Sequence, residues 1–430
     1  METFPTFQSP EIIIHSANQL LTLAGPAPKR GAAQGDLAIL RDGAVAISGD
    51  KILAVGSTLD ILGLADSRTR KIDARGKIVL PGFVDAHTPA VFAGDRANEF
   101  EARLQGATYL EIQKAGGGIM STVRATRAAP LHELVAQSRP RLEAMLAHGT
   151  TTAEVKTGYG LNLETELKMF QAIAALDAEH AMDLVPTFLG AHVVPEEYRG
   201  REGAYVELVV EEMLPAVKLK VKSQKSKVFC DVFCDEGAFT VEQARRILTA
   251  ARDWEFGLRV HADEFANLGA ARLAAELGAA SADHLMVTTR DDMQAMARAN
   301  VTAVLLPGTT FGLGKSNFAD GRAFVEENVP VALGSDINPG TCWCESMPFI
   351  IALACRYEKL TPAQAIVAAT INAAHSLGLA DRVGSLAPGK LADVLIADVP
   401  DYRHLAYRFG ANPIEMVIKR GKIVKSQIDP

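Results

Sequence analysis

The sequence predicts an α/β fold in which a (β/α)8 TIM-like barrel carries a small β-sandwich-like domain built from both chain ends. Two observations indicate this architecture. Eight apolar strand candidates alternate with helical segments in the middle of the 430-residue chain, and short β segments separated by turns occupy both ends. Strands that alternate with helices form parallel sheets, and eight such units close a barrel of about 250 residues.

The two chain ends share a pattern of short strands. The first part of the chain contains EIIIHSA, QLLTLAG and DLAILRDGAVAISGDKILAVG, with turn signals such as Arg41-Asp42-Gly43 between them. The same pattern returns in KLADVLIAD and EMVIKRGKIVKS. We therefore expect residues 1–77 and 388–430 to form the small β domain, and residues 78–387 to form the barrel.

The middle region supplies the eight barrel strands. The candidates are, in chain order, IVLPGFVDAH, TTAEVK, LVPTFLGAH, VFCDVFC, GLRVHAD, SADHLMV, TAVLLP and PVALGSD. Segments such as VEQARRILTAARDW and GAARLAAELGA lie between them and carry apolar residues at i, i+3 and i+4, which is typical of helices.

Composition argues against several classes of function. The formal net charge of −7 argues against nucleic acid and anionic membranes as partners. No apolar run reaches about 18 residues, which argues against a membrane span. The five cysteines contain no CxxC pair, so we expect reduced thiols in a cytoplasmic protein.

Histidine and aspartate stand repeatedly at the ends of the predicted barrel strands. His87, His192, His261 and His284 end four of them, and Asp336 ends the eighth. The carboxyl ends of barrel strands meet at one mouth, where active sites lie. Imidazole and carboxylate groups are ligands that zinc and iron accept, so this pattern indicates a metal site, although each histidine alone is compatible with a structural role.

Other polar residues point to the same mouth. Glu264 follows His261 by three residues in HADEF, so it can transfer protons or cap the next helix. Arg96 can hold a substrate carboxylate or form a surface ion pair. Tyr159 lies between two glycines in KTGYGLN, and Lys156 is expected in an ion pair rather than as a carboxylated bridge between metals.

The segment TTFGLGKS, residues 309–316, nearly matches the phosphate-binding G-x-x-x-x-G-K-S loop. Thr309 replaces its first glycine, and the following SNFADGR is a poor helix start. We therefore expect a glycine-rich barrel loop rather than a nucleotide site.

Several motifs carry a resemblance to a known family. LPGFVDAH, the histidines and aspartate at the strand ends, and GSLAPGKLADVLIAD resemble the metal-dependent amidohydrolase superfamily. Within it, FAGDRANEFEARLQGATYLEIQKAGGGIMSTVRATR, EVKTGYGLN, FLGAHVVPEEY, HADEF, ADHL and GSDINPGT look like the imidazolonepropionase family. The resemblance covers nearly the whole chain. It implies hydrolysis of 4-imidazolone-5-propanoate to N-formimidoyl-L-glutamate in histidine degradation, by attack of a metal-bound hydroxide on the cyclic amide.

The resemblance also implies roles for individual residues. One divalent ion, zinc or iron, is expected on His87, His261 and Asp336. Asp336 or Glu264 is expected to accept the released proton, and His284 to polarise the carbonyl oxygen or stabilise the oxyanion. The expected substrate contacts are Arg96, Tyr159, His192, Glu264, His284, Asn338, Gly340 and Thr341. A homodimer is implied by the resemblance alone.

One residue departs from the family pattern. The family carries an H-x-H pair of ligands after the first strand, and Pro89 occupies the place of the second histidine. Two imidazoles and a carboxylate remain, and His192 or His284 is available as a fourth ligand. Two alternatives stay open at this point: a non-catalytic binder of the same ligand, and a related amidohydrolase or deaminase that acts on another small ring.

Overall fold

The structure, a computed structural model, describes residues 9–221 and 227–426. The largest of its sheets has eight parallel strands, and each strand pairs with the next one along the chain. Its strands, numbered 1 to 8 below, are Phe83–Asp85, Thr150–Lys156, Asp183–Ala191, Phe229–Cys234, Gly257–Ala262, Ser281–His284, Thr302–Leu305 and Val331–Leu333. Each falls on one of the eight predicted segments, so the predicted barrel is confirmed.

Backbone hydrogen bonds bring the two edges of this sheet together. Ala86 N–H, just after strand 1, donates to Leu333 O of strand 8 at 3.3 Å, and Asp336 N–H donates to His87 O at 2.9 Å. The sheet therefore curls into a nearly closed barrel, and the segments that follow strands 1 and 8 become neighbours at its mouth.

Helices surround the barrel and connect its strands. The helix after strand 4 shows why these segments fold: Thr240 and Gln243 form a capping box at its start, and its inner face is apolar. The α-helices are Thr58–Leu62, Ala97–Leu104, Tyr109–Lys114, Ile119–Ala128, Leu131–Ala147, Leu163–Glu179, Glu202–Glu207, Leu214–Lys220, Val241–Asp253, Ala270–Leu277, Arg290–Ala299, Pro307–Gly312, Gly321–Glu326, Met347–Tyr357, Pro362–Ala368, Ile371–Ser376 and His404–Tyr407. Short 3₁₀ turns occupy Gly31–Gly35 and Glu196–Tyr198, and a π-helical turn occupies Leu208–Met213. Among the described residues, no helix has the length and apolar character needed to cross a bilayer.

Two further sheets lie outside the barrel: the first part of the chain forms a four-stranded sheet, and both chain ends contribute to a six-stranded sheet. The four-stranded sheet contains, in spatial order, Lys51–Ser57, Gly43–Ser48, Ile12–Ala17 and Arg70–Asp73. The six-stranded sheet contains Lys422–Ser426, Ile414–Lys419, Val394–Ala397, Ile78–Pro81, Gln19–Leu21 and Ile39–Leu40. Apolar side chains from both sheets, such as Ile14 and Ile396, share one buried cluster, as in a sandwich.

The segment IVLPGFVDAH, predicted as one barrel strand, is divided in the structure. Ile78–Pro81 pairs with Val394–Ala397 and Gln19–Leu21 in the six-stranded sheet, and only Phe83–Asp85 enters the barrel. Gly82 separates the two strands, and a Cβ there would lie 2.2 Å from the hydroxyl of Thr151. The chain thus passes directly from the small domain into strand 1. The domain boundaries at 77/78 and 387/388 stay a prediction.

Candidate metal and active site

Three imidazoles meet at the carboxyl ends of the barrel strands. His87 follows strand 1, His261 lies near the end of strand 5, and His284 ends strand 6. Each offers one nitrogen within 4.8 Å of those of the other two, and all three residues are buried. The ring centroids of His87 and His261 lie 4.6 Å apart, and those of His261 and His284 lie 5.1 Å apart. Three buried imidazoles in this arrangement can hold a metal ion.

A carboxylate fixes the orientation of His87. Its Nδ1 lies 2.7 Å from Asp283 Oδ2. A carboxylate oxygen accepts a hydrogen bond, so Nδ1 carries the proton and Nε2 keeps its electron pair. Nε2 is buried, has no hydrogen-bond partner among the described residues, and lies 3.6 Å from Asp336 Oδ1. This nitrogen has a free electron pair and can therefore bind a metal ion.

A second carboxylate lies behind His261. His261 Nδ1 is 3.0 Å from Asp231 Oδ2, and the other oxygen of Asp231 accepts the backbone N–H of His261 at 3.2 Å. The Nδ1 contact is an ion-pair contact and does not have the geometry of a regular hydrogen bond. It favours a proton on Nδ1, which leaves Nε2 as the nitrogen available to a metal.

Two acidic side chains at the mouth have displaced pKa values. Burial, with Asp336 nearby, raises the pKa of Glu264 to about 8. Burial raises the pKa of Asp336 to about 6, although the hydroxyl of Thr309 donates a hydrogen bond to it and lowers the pKa. Glu264 Oε2 lies 3.7 Å from His284 Nδ1. At neutral pH Glu264 therefore holds a proton while Asp336 is mostly ionised, which suits one for donating and the other for accepting a proton.

His192 and Tyr159 lie beside the imidazoles as neutral groups. His192 Nδ1 donates to Gly158 O at 3.0 Å, so its Nε2 is an acceptor. Burial lowers the pKa of His192 to about 3 and raises that of Tyr159, so neither is charged at neutral pH. The ring of His192 lies 5.5 Å from Tyr159 and 6.1 Å from His261.

The loop after strand 8 meets Arg96. Arg96 Nε donates to Glu99 Oε2 at 2.8 Å, and a Cβ built on Gly340 would lie only 2.2 Å from Arg96 Nη1. Asn338 shapes this loop, because its Oδ1 accepts the N–H groups of Gly340 at 2.9 Å and Thr341 at 2.8 Å. The structure thus links each residue of the predicted site to at least one other, while their individual roles stay predictions.

Sequence reasoning did not find the carboxylates and the arginine behind the imidazoles. Asp231, Arg259 and Asp283 are fully buried within strands 4, 5 and 6, and Glu154 is fully buried in strand 2. The available signal was a charged residue inside an otherwise apolar strand, as in FCDVFC and GLRVHAD. Lys156, expected in an ion pair, contacts Glu154 and Asp231 at 2.8 Å each.

The chain is similar to known amidohydrolases along most of its length. Residues 78–424 match the family model described as "Amidohydrolase family". A protein of Herpetosiphon aurantiacus named imidazolonepropionase is 50% identical over 418 residues, which cover 95% of this chain and 97% of that protein. A Chloroflexus aggregans protein of the same name is 50% identical over 420 residues, covering 96% of this chain and 98% of that protein. The chain belongs to the imidazolonepropionase group of the amidohydrolase family.

A solved structure shows the same fold at low sequence identity. An adenosine deaminase from Xanthomonas campestris, crystallised with bound zinc, has a TM-score of 0.71 and 19% identity, and the match covers 97% of this chain and 93% of that one. This likeness supports the barrel and small domain together.

Pro89 stands where the resemblance implies a second ligand histidine. Pro89 is buried two residues after His87 and has no side-chain donor atom. The candidate ligand set of this chain instead contains His284 beside His87 and His261.

Proposed function

We propose that this chain hydrolyses 4-imidazolone-5-propanoate to N-formimidoyl-L-glutamate in histidine degradation. Relatives that are 50% identical over almost their whole length carry the name imidazolonepropionase, and they favour this activity over the binder and the deaminase. The observation that carries the proposal is the buried triad of His87, His261 and His284, with the carboxyl groups of Asp336 and Glu264 within 4 Å of two of its rings.

We further propose that one divalent ion, zinc or iron, is held by His87, His261 and His284. His284 fills the ligand place that Pro89 leaves empty, and Asp336, the third ligand predicted from the sequence, is near enough to His87 to reach the same ion. When bound, such an ion acts as a Lewis acid and lowers the pKa of a coordinated water from about 16 toward 7.

The side chains around this site supply the proton transfers. Asp336, ionised at neutral pH, accepts the proton of the attacking water as oxygen bonds to the ring carbonyl carbon. Glu264, protonated at neutral pH, donates its proton to the ring nitrogen as the C–N bond breaks. The hydroxyl group of the water is then bonded to the carbonyl carbon, and the ring nitrogen has gained a proton. The proton taken up by Asp336 returns to Glu264 before the next cycle.

Neutral and cationic groups orient the substrate. His192 Nε2 is an acceptor for a ring N–H, and the Tyr159 hydroxyl is a neutral donor beside it. Arg96 binds the propionate, because its Nη1 reaches the loop after strand 8 while Glu99 holds its Nε. Glu99 Oε2 also lies 2.8 Å from Arg96 Nη2, so Arg96 is ion-paired and Nη1 is the donor proposed for the propionate.

The experiment that tests the function measures turnover of 4-imidazolone-5-propanoate by purified protein of known metal content. We expect turnover that disappears with a chelator and returns with zinc or iron. Substrate binding without turnover in the metal-loaded protein would favour the non-catalytic binder instead.

A homodimer and a cytoplasmic location remain predictions. Light scattering of the purified chain tests the first, and cell fractionation tests the second.

A further inference from the structure

We propose that Lys156 is a positioning residue that orients two of the metal-binding imidazoles at once, through the carboxylates behind them. This inference rests on the metal site of the proposed function. Lys156 is a buried cation that is not one of the candidate metal ligands or substrate contacts, and it takes no part in the proposed proton transfers.

Lys156 is enclosed within the barrel. Its side chain is 0% exposed, and its Nζ lies 2.8 Å from Glu154 Oε1, 2.8 Å from Asp231 Oδ2 and 3.9 Å from Asp283 Oδ2. All three acidic side chains are also 0% exposed. A buried ammonium surrounded by carboxylates holds them in place, because each would otherwise be an uncompensated charge away from water.

Two of these carboxylates are the ones that contact the imidazoles. Asp231 Oδ2, which touches Lys156, is 3.0 Å from His261 Nδ1. Asp283 Oδ2, 3.9 Å from Lys156 Nζ, is 2.7 Å from His87 Nδ1. Lys156 is thus connected to the rings of both His261 and His87 through a single carboxylate each. These two rings supply two of the three nitrogens of the candidate ligand set.

Asp283 has additional support, whereas Asp231 depends more on Lys156. Ser281 Oγ donates to Asp283 Oδ1 at 2.5 Å, and Arg259 Nη2 lies 3.3 Å from Asp283 Oδ2. Among the residues that the structure describes, the cationic side chain in contact with Asp231, apart from His261 itself, is Lys156. Loss of Lys156 should therefore disturb His261 more than His87.

The test compares Lys156→Met with Lys419→Met, a matched control. Lys419 is also buried between two aspartates, with Nζ 2.8 Å from Asp183 Oδ2 and 2.6 Å from Asp393 Oδ2, but in a small-domain strand. Zn²⁺ affinity of metal-stripped full-length protein is measured by competition with a chromophoric chelator. Removing groups that orient metal ligands weakens binding about 10- to 100-fold, and we expect this loss for Lys156→Met only.

Equal losses in the two variants would overturn the inference, because they would reflect a general loss of stability. Unchanged affinity in Lys156→Met would overturn it as well. If Lys156→Met does not fold, Asp231→Asn interrupts the same path from Lys156 to His261 with an isosteric side chain, and Zn²⁺ affinity unchanged in that variant contradicts the inference.

Where both single variants fold, the double variant shows whether they act along one path. Lys156→Met should add little to the loss caused by Asp231→Asn, whereas fully additive losses would contradict the inference. These outcomes are separate from failure of the proposed function. Wild-type protein that binds Zn²⁺ without turnover contradicts the function alone, and wild-type protein that binds no divalent metal contradicts both.

Discussion

The guanidinium of Arg96 occupies the space in which residue 340 would carry a Cβ. A Cβ built on Gly340 would lie 2.2 Å from Arg96 Nη1 and 2.9 Å from its Cζ. Glycine at this position therefore lets the arginine reach the loop after strand 8, which Asn338 holds in shape. The proposed anchor for the substrate's propionate depends on this close approach.

Arg96→Ala should raise KM for 4-imidazolone-5-propanoate and lower kcat/KM about 10- to 100-fold, because a hydrogen-bonded charge contributes about 1.5–3 kcal/mol. Gly340→Ala should displace the guanidinium and cause a similar change. Gly203→Ala is the control, since a Cβ there meets nothing within 4 Å. Steady-state kinetics checks these expectations. Normal kinetics in Arg96→Ala would show that the propionate is bound elsewhere.

His284→Ala should weaken metal binding strongly, because only two imidazoles of the candidate set would remain, with Asp336 near His87. Adding Pro89→His to this variant should restore it, since the H-x-H pair would then be complete. His132→Ala, at an exposed helix position, is the control. Metal content after dialysis against a weak chelator gives the readout. A full metal complement in His284→Ala would exclude His284 as a required ligand.

The activity should decline at high pH as Glu264 loses its proton. Burial raises the pKa of Glu264 to about 8, so the donating form is present below this pH and is lost as the pH rises through it. The pH profile of kcat/KM should therefore have a basic limb near 8. Glu264→Gln should lower kcat and remove the limb, whereas Glu242→Gln, on an outer helix, should leave the profile unchanged. A limb that persists in Glu264→Gln belongs to another group.

The sequence predicts the barrel well, because buried parallel strands are apolar runs and the helices between them show a clear amphipathic period. It also predicts which residues gather at the mouth, because strand ends of a barrel converge whatever their spacing in the chain. It does not predict contacts across the barrel. Asp283 and His87 are 196 residues apart, and no local pattern indicates that they pair.

Sequence patterns also do not indicate which of the residues at the barrel mouth belong to the candidate metal site. His284 ends strand 6 and Asp336 closely follows strand 8, and only the positions of their side chains make His284 a member of the candidate triad. The left-handed backbone of His284, with φ 76°, aims its side chain, and a residue with a Cβ rarely adopts this conformation. Such positions occur where the surrounding structure fixes them, often at functional sites.

Glu358→Gln should stabilise the fold at alkaline pH. Glu358 is buried, its Oε2 has no hydrogen-bond partner among the described residues, and burial raises its pKa well above 4.5. The folded protein therefore binds this proton more tightly than the unfolded chain, so stability falls as the pH rises above the unfolded value. Thermal melting should show a higher Tm for the variant at about pH 8 and almost no difference at about pH 4.5. Glu212→Gln, at an exposed position, is the control. A Tm of Glu358→Gln that equals the wild-type Tm at both pH values would refute the expectation.

The most direct test of the account is a metal titration of chelator-treated protein, with turnover of 4-imidazolone-5-propanoate followed at each addition. We expect no turnover without metal, and full turnover once a single zinc or iron ion is bound per chain. Full activity in protein shown to contain no divalent metal would contradict this expectation.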